Sequence, residues 1–135
     1  MVAVNVNGQQ FGVYQSVATI TADPARLVVL LFDGAITYLR QAEESLNRGD
    51  VPTFAARVSR AQAIIVELTD SLDRDAAGDI GPNLGRLYDF MASHLTRGLL
   101  AREAGPVQEV IALLRELREG FEGARNTQGP RVGTA

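Results

Sequence analysis

The chain has 135 residues, enough for one domain with a single hydrophobic core. Its net charge is −3, and its arginines are scattered, most with carboxylates nearby, as in Arg115-Glu116-Leu117-Arg118-Glu119. Nucleic acid demands clustered basic residues to neutralise phosphates, so that partner is not expected, and the lack of cysteine excludes disulfides, thiolate metal sites and cysteine nucleophiles.

Residues 1–12 are polar and glycine-rich (Asn5, Asn7, Gly8, Gln9, Gln10, Gly12) and read as a flexible arm. Met1 to Gly8 show no basic stretch followed by an apolar run, so a secretory signal is not expected. The longest unbroken apolar run, Leu27 to Phe32, is too short to span a bilayer. A cytoplasmic protein without membrane insertion is expected. Residues 13–23 form a short amphipathic segment with Val13, Val17 and Ile20 apolar beside Tyr14-Gln15. It is too short to be stable alone, so it must dock on the rest of the chain or on a partner.

The first long helix is predicted over 24–47. Asp23 can cap it and Pro24 suits its first position. Leu27, Leu31, Ala35, Tyr38, Ala42 and Leu46 recur at spacings of three and four, with Val28, Phe32 and Leu39 widening the stripe. Gly49 followed by Pro52 stops this helix. A second helix over 51–75 carries the seam Phe54, Val58, Ala61, Ile65, Leu68 and Leu72. A third over 82–102 carries Leu84, Leu87, Tyr88, Met91, Leu95 and Leu99, and a fourth over 106–123 carries Val107, Val110, Leu114, Leu117 and Phe121. Residues 124–135 read as a second flexible tail. No useful stretch alternates with period two. The links are short, which makes neighbouring helices antiparallel. The fold class is therefore all-α: an up-down four-helix bundle over 24–123 with a short extra N-terminal helical segment.

Bundles of this kind often hold metals. A di-iron bundle needs inward-facing glutamates and two Glu-x-x-His motifs, whereas this chain has one histidine, His94, with Met91 three residues before it. No metal or cofactor is expected. His94 lies beside the seam residue Leu95 and is expected at a bundle edge, partly exposed, with no proton-transfer partner evident. Triad-type catalysis thus has little support, and no catalytic residue is assigned. The glycines between Gly78 and Gly85 precede no Lys-Ser/Thr pair and follow no strand, so they read as a helix connection. Glu43-Glu44 and Asp73/Asp75 read as solvated faces and helix ends.

Two features exceed a minimal bundle. With Phe54, Val58, Ala61 and Ile65 facing the core, Ala55, Ala56, Ser59, Ala63 and Val66 point sideways or outward. That flank is small and smooth where a solvated helix would carry Lys and Glu. It reads either as a surface that another helix can approach closely or as simple alanine helix propensity. The second feature is the Tyr14-Gln15 segment.

Several stretches, taken in order, resemble flagellar secretion chaperones of the FliS family. They are Tyr14-Gln15, Pro24 through Leu27 to Leu31-Phe32-Asp33-Gly34-Ala35, Arg60-Ala61-Gln62 with Ile64-Ile65 and Leu68, and Ser71-Leu72-Asp73. Gly78-Asp79-Ile80 followed by Asn83-Leu84 and Leu87-Tyr88-Asp89-Phe90-Met91 is the strongest. Arg60 stands where the family usually has Lys, and Phe121 where it usually has Trp. The family's Ala-Asn pair after the third helix is not evident in Leu100-Ala101-Arg102-Glu103, and Pro82 after Gly81 is atypical. The resemblance implies a non-enzymatic cytosolic export chaperone. It would bind the C-terminal segment of flagellin, prevent premature polymerisation and aid type III export, docking when loaded on the export gate membrane protein. The partner-binding residues expected on this reading are Tyr14, Gln15, Val17 and Ile20, with Ala55, Ala56, Ser59, Ala63 and Val66. A helical adaptor that sequesters a regulatory protein, or a bundle that self-associates, would share the same architecture.

Overall fold

The computed structural model describes the backbone of residues 24–75 and 80–131, and the side chains of 24–72 and 81–124. The described residues form four helices: α1 (Pro24–Asn47), α2 (Val51–Asp75), α3 (Ile80–Ala101) and α4 (Ala104–Arg131). The expected ranges of α1 and α2 are met. Helix α3 begins two residues earlier than expected, with Pro82 inside its first turn, and α4 runs on to Arg131 rather than ending at 123. The segment 13–23, with Tyr14, Gln15, Val17 and Ile20, lies outside the described residues.

Local chemistry explains the two tight reversals. At the end of α1, Gly49 adopts φ 78°, a left-handed conformation that costs glycine little. The Gly49 N–H donates to the Leu46 carbonyl at 2.9 Å and the Asp50 N–H to the Ser45 carbonyl at 2.8 Å, so the last α1 carbonyls are satisfied in a Schellman turn. Asp50 then caps α2: its Oδ1 accepts from the Thr53 N–H at 3.2 Å. The α3–α4 reversal repeats this geometry without glycine. Arg102 takes φ 56°, and the Glu103 N–H donates to the Gly98 carbonyl at 3.0 Å. Here the glycine serves packing. A Cβ on Gly98 would stand 3.1 Å from Pro106 Cβ, so the bare backbone lets α4 start close against α3.

Each helix packs on two neighbours: α1 on α2 and α4, and α3 on the same two. Cross-links show the directions. Arg118 of α4 meets Asp33 of α1, while Gln108 meets Glu43, so residue numbers fall along α4 as they rise along α1. The bundle is therefore antiparallel and up-down, as the short links predict.

The core joins Phe54, Val58, Ala61, Ile65 and Leu68 of α2, Leu84, Tyr88, Met91 and Leu95 of α3, and Val107, Val110 and Leu114 of α4. These belong to the predicted seams, with Ile111 added, while Leu72, Leu87, Leu99, Leu117 and Phe121, also expected on the seams, are only half-buried against this core. Helix α1 departs from expectation. Its buried line is Val29, Phe32, Ala35, Ile36, Leu39 and Ala42, while Leu27, Leu31, Tyr38 and Leu46 are only half-buried. The stripe is rotated toward α4, where Phe32 packs edge-on against Phe121 with ring centroids 5.4 Å apart. Burial also pushes the Tyr88 phenol up to about 12, because the charged phenolate would have to form inside this apolar interior.

Candidate partner-binding surface

The surface is built on α2. Its seam faces inward, and its two shoulders are engaged differently. On the α3 side, the Gln62 side-chain amide donates to the Ala92 carbonyl at 3.2 Å and to Thr96 Oγ1 at 3.0 Å. On the α1 side, the Arg60 guanidinium lies 5.8 Å from the Tyr38 ring centroid, a cation–π contact that keeps its charge over an aromatic face. Between these shoulders the helix is bare. Ala56, Ser59, Ala63 and Val66 are exposed and Ala55 is half-buried. Val66 stands out, since a β-branched aliphatic residue is 58% exposed there. The structure thus brings together the five predicted α2 residues on the outer side of one helix.

Two exposed apolar residues escaped the sequence reading. Leu100 of α3 is 78% exposed and Phe90 is 48% exposed. Leu100 was legible in principle. Once Leu99 takes the seam, its neighbour is turned about 100° away from it. Phe90 follows from the same geometry, two positions past Tyr88.

His94 is the main correction. It is buried rather than partly exposed, and it has a partner. Its Nε2 meets the Glu109 carboxylate of α4, and Phe90 stacks on its ring at 4.8 Å with an interplanar angle of 23°. With the Nε2 proton donated to Glu109, Nδ1 is left buried without a hydrogen bond among the described residues. Covered on one face by Phe90 and enclosed between α3 and α4, the imidazole offers no open position to a reacting group. It ties two helices together.

Other polar groups are structural as well. Asp33 accepts a 2.6 Å hydrogen bond from Arg118 Nε, which raises the arginine's pKa further, and Glu43 accepts from Gln108 at 2.6 Å. No group of three or more His, Cys, Asp or Glu able to hold a metal occurs among the described residues. No described helix is long and apolar enough to cross a membrane. Among the described residues the molecule presents packing surface rather than a reactive centre.

Comparisons with known proteins agree with this reading. The family model described as flagellar protein FliS matches residues 7–128. The flagellar secretion chaperone FliSB of Pseudomonas aeruginosa is 33% identical over 102 residues, covering 76% of this chain and 81% of the relative. The flagellar secretion chaperone FliS of Salmonella typhimurium is 36% identical over 106 residues, covering 78% of each. A solved structure described as a flagellar chaperone from bacteria shares the fold, with TM-score 0.73 and 22% identity over 90% of this chain and 98% of that one. These relatives are named as chaperones, not as enzymes. The chain, an antiparallel helical bundle with an open α2 flank and no reactive centre in view, belongs to the FliS family of flagellar secretion chaperones.

Proposed function

We propose that this protein holds the C-terminal segment of flagellin in the cytoplasm until export, preventing premature polymerisation, and that the loaded complex docks on the membrane export gate. Family membership supports an export client, and one structural observation supports the mode of binding: the exposed flank of α2 around Val66. A disordered amphipathic segment folds as it binds, and burial of its apolar face offsets the cost of ordering it. Helix-in-groove recognition uses apolar anchors at helical spacing and requires no chemistry from the groove.

On this reading Ala55, Ala56, Ser59, Ala63 and Val66 contact the client. Tyr14, Gln15, Val17 and Ile20 lie over part of the same surface in the free chain and are displaced or rearranged when the client arrives. A cap held by a few side chains contributes less than a longer client helix that buries more apolar area.

The test is titration with a peptide spanning the C-terminal region of flagellin from the same organism, followed by circular dichroism and calorimetry. Binding with a gain of helix and a negative heat-capacity change is expected. No binding would refute the flagellin reading. Deleting residues 1–20 should raise the association rate and increase self-association. Lost binding by a folded deletion variant would make that segment part of the binding site rather than a cap.

A further inference from the structure

Two cations on α2 have no anion to face. Among the described arginines, Arg57, Arg60 and Arg118 are half-buried and the others are exposed. Arg118 has its carboxylate, Asp33, at 2.6 Å. The guanidinium groups of Arg57 and Arg60 make neither an ion pair nor a hydrogen bond among the described residues. The carboxylates nearest in sequence and on the neighbouring helix are turned elsewhere. On α1, Asp33 meets Arg118, Glu43 meets Gln108 and Glu44 faces Arg48 at 4.0 Å. Asp50 caps α2 at Thr53. Glu67 stands seven residues past Arg60, about 10 Å along the helix axis. Partial burial strips water from a charge, a cost that an opposite charge normally offsets.

The two cations share one shoulder. Three residues apart on a helix, their side chains rise from neighbouring points, with about 5–6 Å between Cβ atoms. Helix α1 runs antiparallel alongside. Tyr38 lies beside Arg60, and one turn away Gly34 meets Ile64. That register carries the exposed Gln41 to the level of Arg57. The Tyr38 ring centroid, 5.8 Å from the guanidinium carbon, restrains Arg60, and such a contact leaves the guanidinium N–H donors unused.

We propose that Arg57 and Arg60, the latter restrained on Tyr38, form a carboxylate-binding site whose ligand is the free C-terminal α-carboxylate of the exported client. A guanidinium presents paired N–H donors in the geometry of a carboxylate. A helix that ends at a chain terminus adds unpaired carbonyls and the negative end of its dipole to that charge, so two adjacent cations match it. The site presupposes the reading of the client as the C-terminal segment of flagellin. It adds chemical recognition of the chain end, distinct from the apolar contacts of the smooth α2 flank.

The test uses the flagellin C-terminal peptide made twice, ending in a free acid and in an amide, each titrated calorimetrically into the full chain. The amide should bind about tenfold more weakly, because it lacks the charge that the arginines face. Arg57→Gln with Arg60→Gln should weaken the acid peptide by a similar factor and leave the amide peptide nearly unchanged. Arg97→Gln, on an exposed position of α3, should keep the tenfold ratio of the parent chain. Equal affinity of the two peptides for the parent chain would overturn the site while leaving flagellin binding intact. That comparison alters only the peptide, so a folding defect in a variant cannot produce it. Equal weakening of both peptides by the arginine substitutions would give the cations to a side-chain carboxylate within the client and overturn the terminal assignment. Failure of both peptides to bind the parent chain would remove the flagellin reading itself, and the site with it.

Discussion

Gly34 of α1 and Ile64 of α2 meet in a close approach: a Cβ on Gly34 would stand 3.2 Å from Ile64 Cδ1. Two effects oppose each other at this site. Alanine gains roughly 1 kcal/mol of helix propensity over glycine, while the end of the Ile64 side chain must shift by a few tenths of an ångström. Gly34→Ala is therefore expected to change stability by less than about 1 kcal/mol. Gly34→Leu should cost about 1–3 kcal/mol, because a larger side chain forces α1 and α2 apart. Urea denaturation of the two variants checks this, and a neutral leucine variant would contradict the close approach.

Ile65 and Leu114 sit at the centres of their seams, 2% and 0% exposed. Truncating either to alanine should cost about 2–5 kcal/mol through lost burial and the cavity left behind. Thermal melts at matched concentration measure the loss. Unchanged stability in both would mean that the interior collapses around the gap.

Two reversals with the same backbone geometry differ in the residue that bears the left-handed conformation. At φ 78° Gly49 is unstrained, and nothing lies within 4 Å of a built Cβ, so Gly49→Ala should cost about 1 kcal/mol from backbone strain alone. Arg102 at φ 56° already bears such strain. Arg102→Gly should raise stability by about 0.5–1 kcal/mol, and Arg102→Asn should also be stabilising, because asparagine tolerates this region. Denaturant midpoints of the three variants, taken in opposite directions from the parent chain, are the readout.

The Asp50 cap confers an acid-side pH dependence. Hydrogen bonds from the Thr53 side chain and N–H hold its carboxyl below the usual carboxylate range. A depressed carboxyl pKa contributes stability above the unfolded value, and that contribution disappears as pH falls through the folded one. Asp50→Asn keeps an acceptor at the cap but cannot titrate. Its melting temperature should fall less steeply than that of the parent between about pH 5 and pH 2. Parallel curves would show that the carboxylate charge adds nothing to the cap.

Ala63 is exposed on the outer side of α2, away from its own seam. Ala63→Glu should leave the melting temperature close to that of the parent, yet weaken binding of the flagellin peptide by about tenfold or more by placing a charge in an apolar contact. Normal binding would return this flank to ordinary solvated helix.

Much of this architecture follows from local rules that need no tertiary partner. The seams of α2, α3 and α4 recur at three and four residues with polar residues between them, so each helix has one face it can bury. Gly49 ends α1, and the smooth flank from Ala55 to Val66 is visible as soon as the α2 seam is placed. Helix α1 resisted the same treatment because Leu27 to Phe32 are apolar without interruption, so periodicity alone does not choose a centre. Packing chose it: contact with Phe121 and the Asp33–Arg118 pair rotate the stripe so that Val29 and Ile36 go inside. His94 was decided in the same way. Its spacing beside Leu95 says edge, but Glu109 of a different helix and Phe90 one turn before it close over the ring. The register of α2 against α3 is likewise set only in the folded chain, by the Gln62 contacts to Ala92 and Thr96. Periodicity along a chain tells which face of a helix is apolar. The angle at which that face meets its neighbours, and the grooves left outside, are properties of the packed assembly of helices.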